Sequence, residues 1–191
     1  MAFDDVLEFI GKLREREAVA ALALEFLILT AARSGEVLGA RWAEFNLDGK
    51  VWTVPASRMK AGIEHRVPLS SRALAILEAI AAARTGEFVF AGQKHGKPLS
   101  GTALGMVLRR MKVDGATVHG MRSSFSDWAS ETTLFQRETV EQCLAHVVGS
   151  AVERSYRRGD ILEKRRIVLE AWAQFIEPGQ RSNVVALRTK N

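Results

Sequence analysis

Six residues along the chain have side chains that can bind an anion, transfer protons or act as a nucleophile. In chain order they are Arg33, Lys60, His119, Arg122, His146 and Tyr156. His119 and Arg122 stand three positions apart, so on a helix they share a face and can direct two donors at one anion. Tyr156 is the only tyrosine in the sequence, and a tyrosine hydroxyl can form a covalent intermediate. The set indicates chemistry on an anionic substrate.

Each of these residues also has an ordinary structural interpretation. Arg33 follows an apolar segment, where an arginine commonly binds the last carbonyls of a helix. A lysine in a turn, such as Lys60, is normally solvated, and His146 could cap a helix or lie in a core. Tyr156 has arginines on both sides, so its ring could stack on guanidinium groups at the surface. No single residue therefore defines a function.

The elements that must position these residues are predicted to be mainly α-helical. Apolar residues recur at helical spacing over about 4–13, 18–32, 36–42, 70–83, 100–111, 119–131, 138–144, 150–156 and 160–176. Asp4 or Asp5 is expected to cap the first helix, and Ser70 or Ser71 the fourth. The fold class is therefore α+β, mainly α with a small antiparallel β-sheet.

The sheet is predicted from a change of period after residue 50. Segments 51–54 and 66–69 are rich in β-formers, and the polar span between them contains Ala61 and Gly62. They are predicted to form a hairpin with Lys60 at or near its tip. Segment 88–90 is predicted to be a further short strand.

Length and composition favour a single domain in a reducing compartment. A chain of 191 residues with 47% hydrophobic content can bury one sizeable core. Cys143 is the only cysteine, which excludes an internal disulfide and a multi-cysteine zinc site. The longest apolar run contains Glu25 and is too short to span a membrane. With no export signal at the start of the sequence, a cytoplasmic protein is expected.

The charge is concentrated in the second half of the chain. The net charge is +5. Residues 1–93 carry 11 Lys and Arg against 12 Asp and Glu, whereas residues 94–191 carry 16 against 10. A basic half favours a polyanionic partner, although a solvated basic surface would give the same count.

The six residues lie within sequence blocks that occur in one particular order. The blocks are residues 30–36 (TAARSGE), 58–60 (RMK), 65–70 (HRVPLS), 119–122 (HGMR), 144–146 (LAH) and 155–160 (SYRRGD). In this order they resemble the tyrosine site-specific recombinases, specifically the integrases of temperate phages and genomic islands. The resemblance extends from about residue 20 to residue 177.

The resemblance implies a role for each residue. The enzymes cleave and rejoin DNA strands through a 3′-phosphotyrosyl intermediate without metal, cofactor or ATP, and so integrate or excise a phage or genomic island. By similarity, the chain has two phosphate-binding arginines (Arg33 and Arg122), a hairpin lysine that acts as general acid (Lys60), two active-site histidines (His119 and His146), a nucleophile (Tyr156) and a supporting acidic residue that orients Arg33 (Glu36).

The resemblance also implies a domain organisation. Residues 1–178 are expected to form the catalytic domain, and residues 179–191 a tail whose apolar patch, 184–187, docks on a neighbouring subunit. Such integrases carry N-terminal DNA-binding domains, which we expect to be absent from this chain. Double-stranded DNA is the expected partner, with a homotetramer on DNA for the full-length enzyme and a monomer for this part alone.

Three other functions use some of the same features. A type IB topoisomerase has a similar active site, but the blocks around residues 58–70 and 146–160 resemble integrases instead. A non-catalytic DNA-binding regulator needs only a basic helical domain, and leaves the six ordered residues unexplained. A metal-dependent nuclease could use His119 and His146, but the sequence offers no nearby acidic cluster.

Overall fold

Helices make up most of the chain, as the apolar periodicity predicts. The computed structural model describes residues 1–146 and 161–179. In these residues the helices are α1 (Phe3–Arg14), α2 (Val19–Thr30), α3 (Ser34–Leu38), α4 (Ser71–Ala81), α5 (Ala103–Arg110), α6 (Gly120–Thr132), α7 (Arg137–Cys143) and α8 (Leu162–Phe175). Short 3-10 helices cover Trp42–Glu44 and Ala56–Arg58. The predicted helix at 150–156 lies outside the described residues.

The α2 helix is the centre of the core. Its sequence, VAALALEFLILT, is apolar on every face, so it is stable only when other elements surround it. It contacts α1, α3, α4, α5, α6 and α8. The indole Nε1 of Trp172 on α8 donates to the carbonyl oxygen of Ile28 at 2.9 Å, which satisfies the polar atom of a fully buried side chain. The end of α2 is thereby fixed before the chain turns towards Arg33.

Three antiparallel strands form the sheet, in the order β1 (Phe45–Asn46), β2 (Val51–Val54) and β3 (His65–Pro68). The predicted hairpin is confirmed, with Trp52 opposite Val67 and Val54 opposite His65. Trp52 and Val67 are both buried, and α8 packs against β3. The mainly α fold with a small antiparallel sheet is therefore as expected, except that β1 was not predicted.

The predicted strand at 88–90 is wrong. Phe88 forms a single bridge with Arg41, and the Val89 amide donates to the carbonyl of Ala40 at 2.9 Å. On the opposite side of the segment, the Leu99 amide donates to the carbonyl oxygen of Phe90 at 3.0 Å. The chain bends at Val89 and Phe90, and both residues are buried between two irregular stretches of chain. The segment is therefore apolar because it is buried, and neither neighbouring stretch provides a ladder.

One helix start and one helix end differ from the prediction, and the predicted cap of α4 is confirmed. Asp4 and Asp5 lie in the first turn of α1 rather than at its cap, which is Ala2; there they still face the positive end of the helix dipole. Ser70 caps α4, since its hydroxyl accepts from the Ala73 amide at 3.3 Å. The α3 helix ends at Leu38 rather than near residue 42.

A buried ion cluster ties four helical elements together. Glu25 on α2 is 1% exposed and accepts from Arg14 at 2.8 Å and from Arg72 at 2.8 Å. Arg14 also donates to both carboxylate oxygens of Glu177, at 2.6 and 2.9 Å. These four residues are called the Glu25 cluster below. They join α1, α2 and the start of α4 to the end of α8.

Among the helices that the structure describes, none combines the length and apolar character that crossing a membrane requires.

Candidate active site

An open cleft of about 300 Å³ lies where α3, the β2–β3 loop and the start of α6 meet. Five of the seven site residues predicted from the sequence line it: Arg33, Glu36, Lys60, His119 and Arg122. These residues come from positions up to 89 apart in the chain. The fold therefore brings together what the sequence spreads over three separate blocks.

Arg33 is placed by a sharp turn at the end of α2. Ala31 closes the helix in the left-handed conformation, with φ of 50°, and Arg33 then stands at the N-cap of α3. The Arg33 amide donates to Glu36 Oε2 and its Nη1 to Glu36 Oε1, both at 2.9 Å. Glu36 is 4% exposed, so this buried carboxylate fixes both the backbone and the guanidinium of Arg33.

Arg122, in the first turn of α6, is the more deeply buried of the two arginines. It is 5% exposed, and its guanidinium donates to the carbonyl oxygens of Ala31 and Leu144. Burial, followed by the charge of Arg33, lowers the pKa of Arg122 to about 10. The side chain stays protonated at neutral pH, so a cation is held in the cleft wall by neutral acceptors.

His146 lies beside Arg122, and the preceding residue lies beside Arg33, although His146 does not line the cleft itself. Its Nε2 is 3.4 Å from the Nη2 of Arg122, and the Arg33 Nη2 is 3.5 Å from the carbonyl oxygen of Ala145. Ala145 has φ of 52°, and this second left-handed turn points the histidine back towards α6.

Glu141 is a neighbour of His146 that the sequence did not single out. Its carboxylate lies 2.6 Å from His146 Nδ1. With a proton on Nδ1 donated to Glu141, the Nε2 atom of a neutral ring is an acceptor. The sequence did not predict this pair because residues five positions apart, such as Glu141 and His146, do not face each other on a regular helix. They meet only because α7 ends between them and the chain then makes a left-handed turn.

Lys60 and His119, like His146, are exposed members of the set. Lys60 lies in the turn after the second 3-10 helix and His119 stands at the N-cap of α6. His119 therefore precedes the helix rather than sharing its face with Arg122, but both line the cleft. Both side chains are free to adjust to a ligand.

Arg58 lines the same cleft and was quoted in the sequence only as part of the RMK block. Its Nη1 lies 2.5 Å from both carboxylate oxygens of Glu44, and its Nη2 lies 2.5 Å from the carbonyl oxygen of Glu36. No local pattern predicts these contacts, because Glu44 and Glu36 are 14 and 22 positions away along the chain.

Tyr156 and the tail patch at 184–187 lie outside the described residues. In the described ranges, 1–146 and 161–179, no group of three or more His, Cys, Asp or Glu side chains could hold a metal ion.

Cys143 is buried, and burial raises the pKa of its thiol to about 12. It is thus an inert core residue rather than a nucleophile.

Residues 1–161 match the phage integrase family. The chain belongs to this family. It is 37% identical over 161 residues to prophage integrase IntA of Escherichia coli strain K12, covering 83% of this chain and 39% of that protein. It is 34% identical to prophage integrase IntZ of the same strain, covering 92% and 43%. The chain therefore spans about two fifths of the length of these integrases.

Solved structures of family members share the fold. The lambda integrase catalytic core is 21% identical, with a TM-score of 0.57 over 77% of this chain and 91% of that one. A lambda integrase tetramer bound to a Holliday junction is 20% identical, with a TM-score of 0.59 over 84% and 50%. XerA recombinase is 12% identical, with a TM-score of 0.59 over 84% and 59%. These likenesses confirm the predicted fold class.

Proposed function

We propose that the chain is the catalytic part of a site-specific DNA recombinase that integrates or excises a phage or genomic island. It cleaves one DNA strand, holds the end as a 3′-phosphotyrosyl intermediate and then rejoins it. The observation that carries this proposal is the cleft in which Arg33, Lys60, His119 and Arg122 line one space. Family membership supports the same reaction.

The two arginines bind the scissile phosphate. As a tyrosine attacks, the phosphorus becomes five-coordinate and its non-bridging oxygens gain negative charge. Arginine forks bind such oxygens bidentately and stay protonated. The Arg122 guanidinium is already held rigidly by two carbonyls, so little reorganisation is needed. Removing one such donor typically costs about 2.7–4 kcal/mol in the transition state.

Tyr156 is the nucleophile, as its place in the SYRRGD block indicates. A free phenol has a pKa near 10 and is only about 0.1% ionised at pH 7, so a tyrosine nucleophile needs a base and nearby cations. The His146 Nε2 can accept the proton. A bond forms between the tyrosine oxygen and phosphorus while the bond from phosphorus to the 5′-oxygen breaks, and Lys60 gives that oxygen a proton. Attack by a DNA 5′-hydroxyl reverses these steps and needs no ATP.

The partner is double-stranded DNA, on which the full-length enzyme acts as a homotetramer. Lambda integrase is described as a dimer on a core site and as a tetramer on a Holliday junction, and four strand exchanges require four active sites. Residues 1–178 form the catalytic domain and the tail at 179–191 docks on a neighbouring subunit. The protein acts in the cytoplasm, with no metal or cofactor.

Covalent trapping tests the reaction directly. The chain is incubated with a pool of short nicked duplexes of randomised sequence, in which cleavage releases a fragment and leaves the protein attached. Denaturing electrophoresis detects the adduct, and sequencing of its DNA identifies preferred duplexes. We expect an adduct with the wild-type chain and none with Tyr156→Phe, which still binds DNA.

Three outcomes contradict the proposal. An adduct that persists in Tyr156→Phe, or that mass spectrometry maps to another residue, excludes Tyr156 as nucleophile. DNA binding with no adduct from any duplex supports a non-catalytic regulator instead. Relaxation of supercoiled DNA without strand exchange between two duplexes supports a topoisomerase.

A further inference from the structure

We propose that Arg58 is a positioning residue for Lys60. Its guanidinium fixes the base of the β2–β3 loop against the turn that carries Arg33, and so holds the proton donor at a set distance from the scissile phosphate. The inference rests on the proposed role of Lys60 as general acid. It assigns to Arg58 no contact with the DNA.

One side of the Arg58 guanidinium is anchored to the sheet. Nη1 lies 2.5 Å from Glu44 Oε1 and 2.5 Å from Oε2. Glu44 is held in turn by Trp52, whose Nε1 donates to Oε2 at 2.9 Å. Trp52 is fully buried on β2. The carboxylate that holds Arg58 is therefore fixed by the core rather than by solvent-exposed groups.

The other side of the guanidinium reaches the α3 turn. Nη2 donates to the carbonyl oxygen of Glu36 at 2.5 Å and lies 3.5 Å from that of Gly35. The carboxylate of Glu36 holds Arg33 independently. One residue therefore connects two parts of the site, with its side chain on Arg33 and its carbonyl on Arg58.

Lys60 follows directly after the last buried residue at the start of the β2–β3 loop. Met59 is 7% exposed, whereas residues 60–64 are all exposed. Arg58 and Met59 are thus the anchors nearest to Lys60 on the side of β2. Because a displacement of about 1 Å in a reacting group can lower a rate by roughly 100-fold, the precision of proton delivery depends on these anchors.

Gly39 provides the space that the guanidinium occupies. A Cβ on Gly39 would lie 2.8 Å from the Nη2 of Arg58. The nearest atom is the end of a side chain, and the carbonyl oxygen of Gly35 would lie 3.3 Å away. The backbone of Gly39 has φ of −91° and ψ of 8°, a conformation that is allowed for alanine. Gly39→Ala should therefore leave the fold intact and displace the Arg58 guanidinium without removing a charge.

The test compares cleavage of ordinary DNA with cleavage of a 5′-bridging phosphorothiolate, whose sulfur leaves without a proton. The substrate is the duplex recovered most often in covalent trapping. Lys60→Ala should be about 100-fold slow or worse on ordinary DNA and recover on the phosphorothiolate. Arg58→Ala and Gly39→Ala should be about 10-fold slow on ordinary DNA and also recover. The double variant Arg58→Ala, Lys60→Ala should be no slower than Lys60→Ala alone.

Matched variants separate positioning from folding and charge. Arg41→Ala removes an arginine whose ion pair, with Glu87 at 2.7 Å, lies outside the cleft, and it should cleave both substrates at the wild-type rate. Arg58→Lys keeps the charge but lacks the planar fork whose two nitrogens reach Glu44 and Glu36 separately, so it should behave like Arg58→Ala. If Arg58→Ala fails to fold, Gly39→Ala and Arg58→Lys carry the test.

The outcomes distinguish this inference from the proposed function. If Lys60→Ala recovers on the phosphorothiolate but Arg58→Lys and Gly39→Ala do not, Arg58 does not act through Lys60. If the rate defects of the two single variants multiply in the double variant, Arg58 again does not act through Lys60. If Lys60→Ala itself fails to recover, Lys60 is not the general acid. The proposed role of Lys60 and the positioning role of Arg58 then both fail.

Discussion

Two arginines in this protein, the partly exposed Arg14 and the buried Arg122, have opposite electrostatic environments. For Arg14, burial alone would lower its pKa, but hydrogen bonds and charges from Glu177 and Glu25 outweigh it and raise the pKa above its ordinary value. For Arg122, burial and the charge of Arg33 lower the pKa to about 10. Arg14 donates to two carboxylates, whereas Arg122 donates to two carbonyls.

The contrast separates a structural cluster from a binding site. In the Glu25 cluster two arginines face two glutamates, and the charges compensate each other within the fold. In the cleft, within the ranges 1–146 and 161–179, Arg122 forms no ion pair with a carboxylate. The carboxylates of Glu36 and Glu141 act on Arg122 only at longer range, and a cation in a cleft without a direct ion pair is suited to receive an anion. Under the proposed function, the same residue type stabilises the fold in one region and binds a ligand in the other.

The largest expected effect is the loss of DNA cleavage when either arginine of the cleft is replaced. Arg33→Ala and Arg122→Ala should each lower the single-turnover rate of adduct formation by about 100-fold or more, because each removes a donor to the charged transition state. Arg72→Ala, from the Glu25 cluster, is the matched control and should leave the rate of the folded protein unchanged. Equal losses in all three variants would erase the distinction between the two regions.

The next effect is on stability and belongs to the Glu25 cluster. Glu25→Gln leaves Arg14 and Arg72 without their shared counter-charge and should lower the free energy of unfolding by about 3 kcal/mol. Urea denaturation measures it. Glu8→Gln, which breaks the exposed Lys12–Glu8 pair, should show no measurable change. An unaltered midpoint for Glu25→Gln would mean that this cluster is not structural.

A smaller effect should come from inorganic phosphate. A phosphate ion bound in the cleft would form a direct ion pair with Arg122, which pairs with no carboxylate of the described residues, and at about ten times its Kd the ion should stabilise the chain by about 1.4 kcal/mol. Differential scanning calorimetry in phosphate and in chloride of equal ionic strength tests this. The shift should vanish in Arg33→Ala and persist in Arg72→Ala; a shift that depends on Arg72 instead would place the ion at the wrong cluster.

The smallest effect is on acid stability. The hydrogen bond from Arg14 lowers the pKa of Glu177 below its ordinary 4.5. The stabilisation is therefore fully present above pH 4.5 and is lost as the pH falls through the lower pKa of the folded state. Because Glu177 is partly exposed, the free energy of unfolding of the wild type should exceed that of Glu177→Gln by only about 1 kcal/mol at neutral pH. The difference should disappear in strong acid, and a gap that widens there would reverse the assigned sign.

Much of the fold was predictable because its patterns are local. The hairpin followed from β-formers on both sides of a polar span, and Glu36 could be paired with Arg33 because it lies three positions further along. The two-residue strand β1 was missed because Phe45 and Asn46 carry too short a pattern to detect. Segment 88–90 was mistaken for a strand because burial, not ladder pairing, explains its apolar residues.

The candidate site was only partly predictable, for a related reason. Residue types and order identified Arg33, Lys60, His119 and Arg122, and the cleft brings these four together. The residues that hold them were not recognised, because Arg58 is fixed by distant tertiary contacts. The main-chain acceptors of Arg122 could not have been predicted either, since a carbonyl carries no sequence signal.

The left-handed turn at Ala31 limits how this site can vary during evolution. The turn both presents Arg33 and directs the Ala31 carbonyl at Arg122, so a change of side chain at position 31 would affect both arginines at once. With φ of 50°, glycine and asparagine fit easily, whereas a β-branched residue is strongly disfavoured. Relatives that retain both arginines should accordingly vary among small residues at this position and avoid valine, isoleucine and threonine. The constraint is on a backbone dihedral angle, so it acts on a residue whose own side chain performs no chemistry.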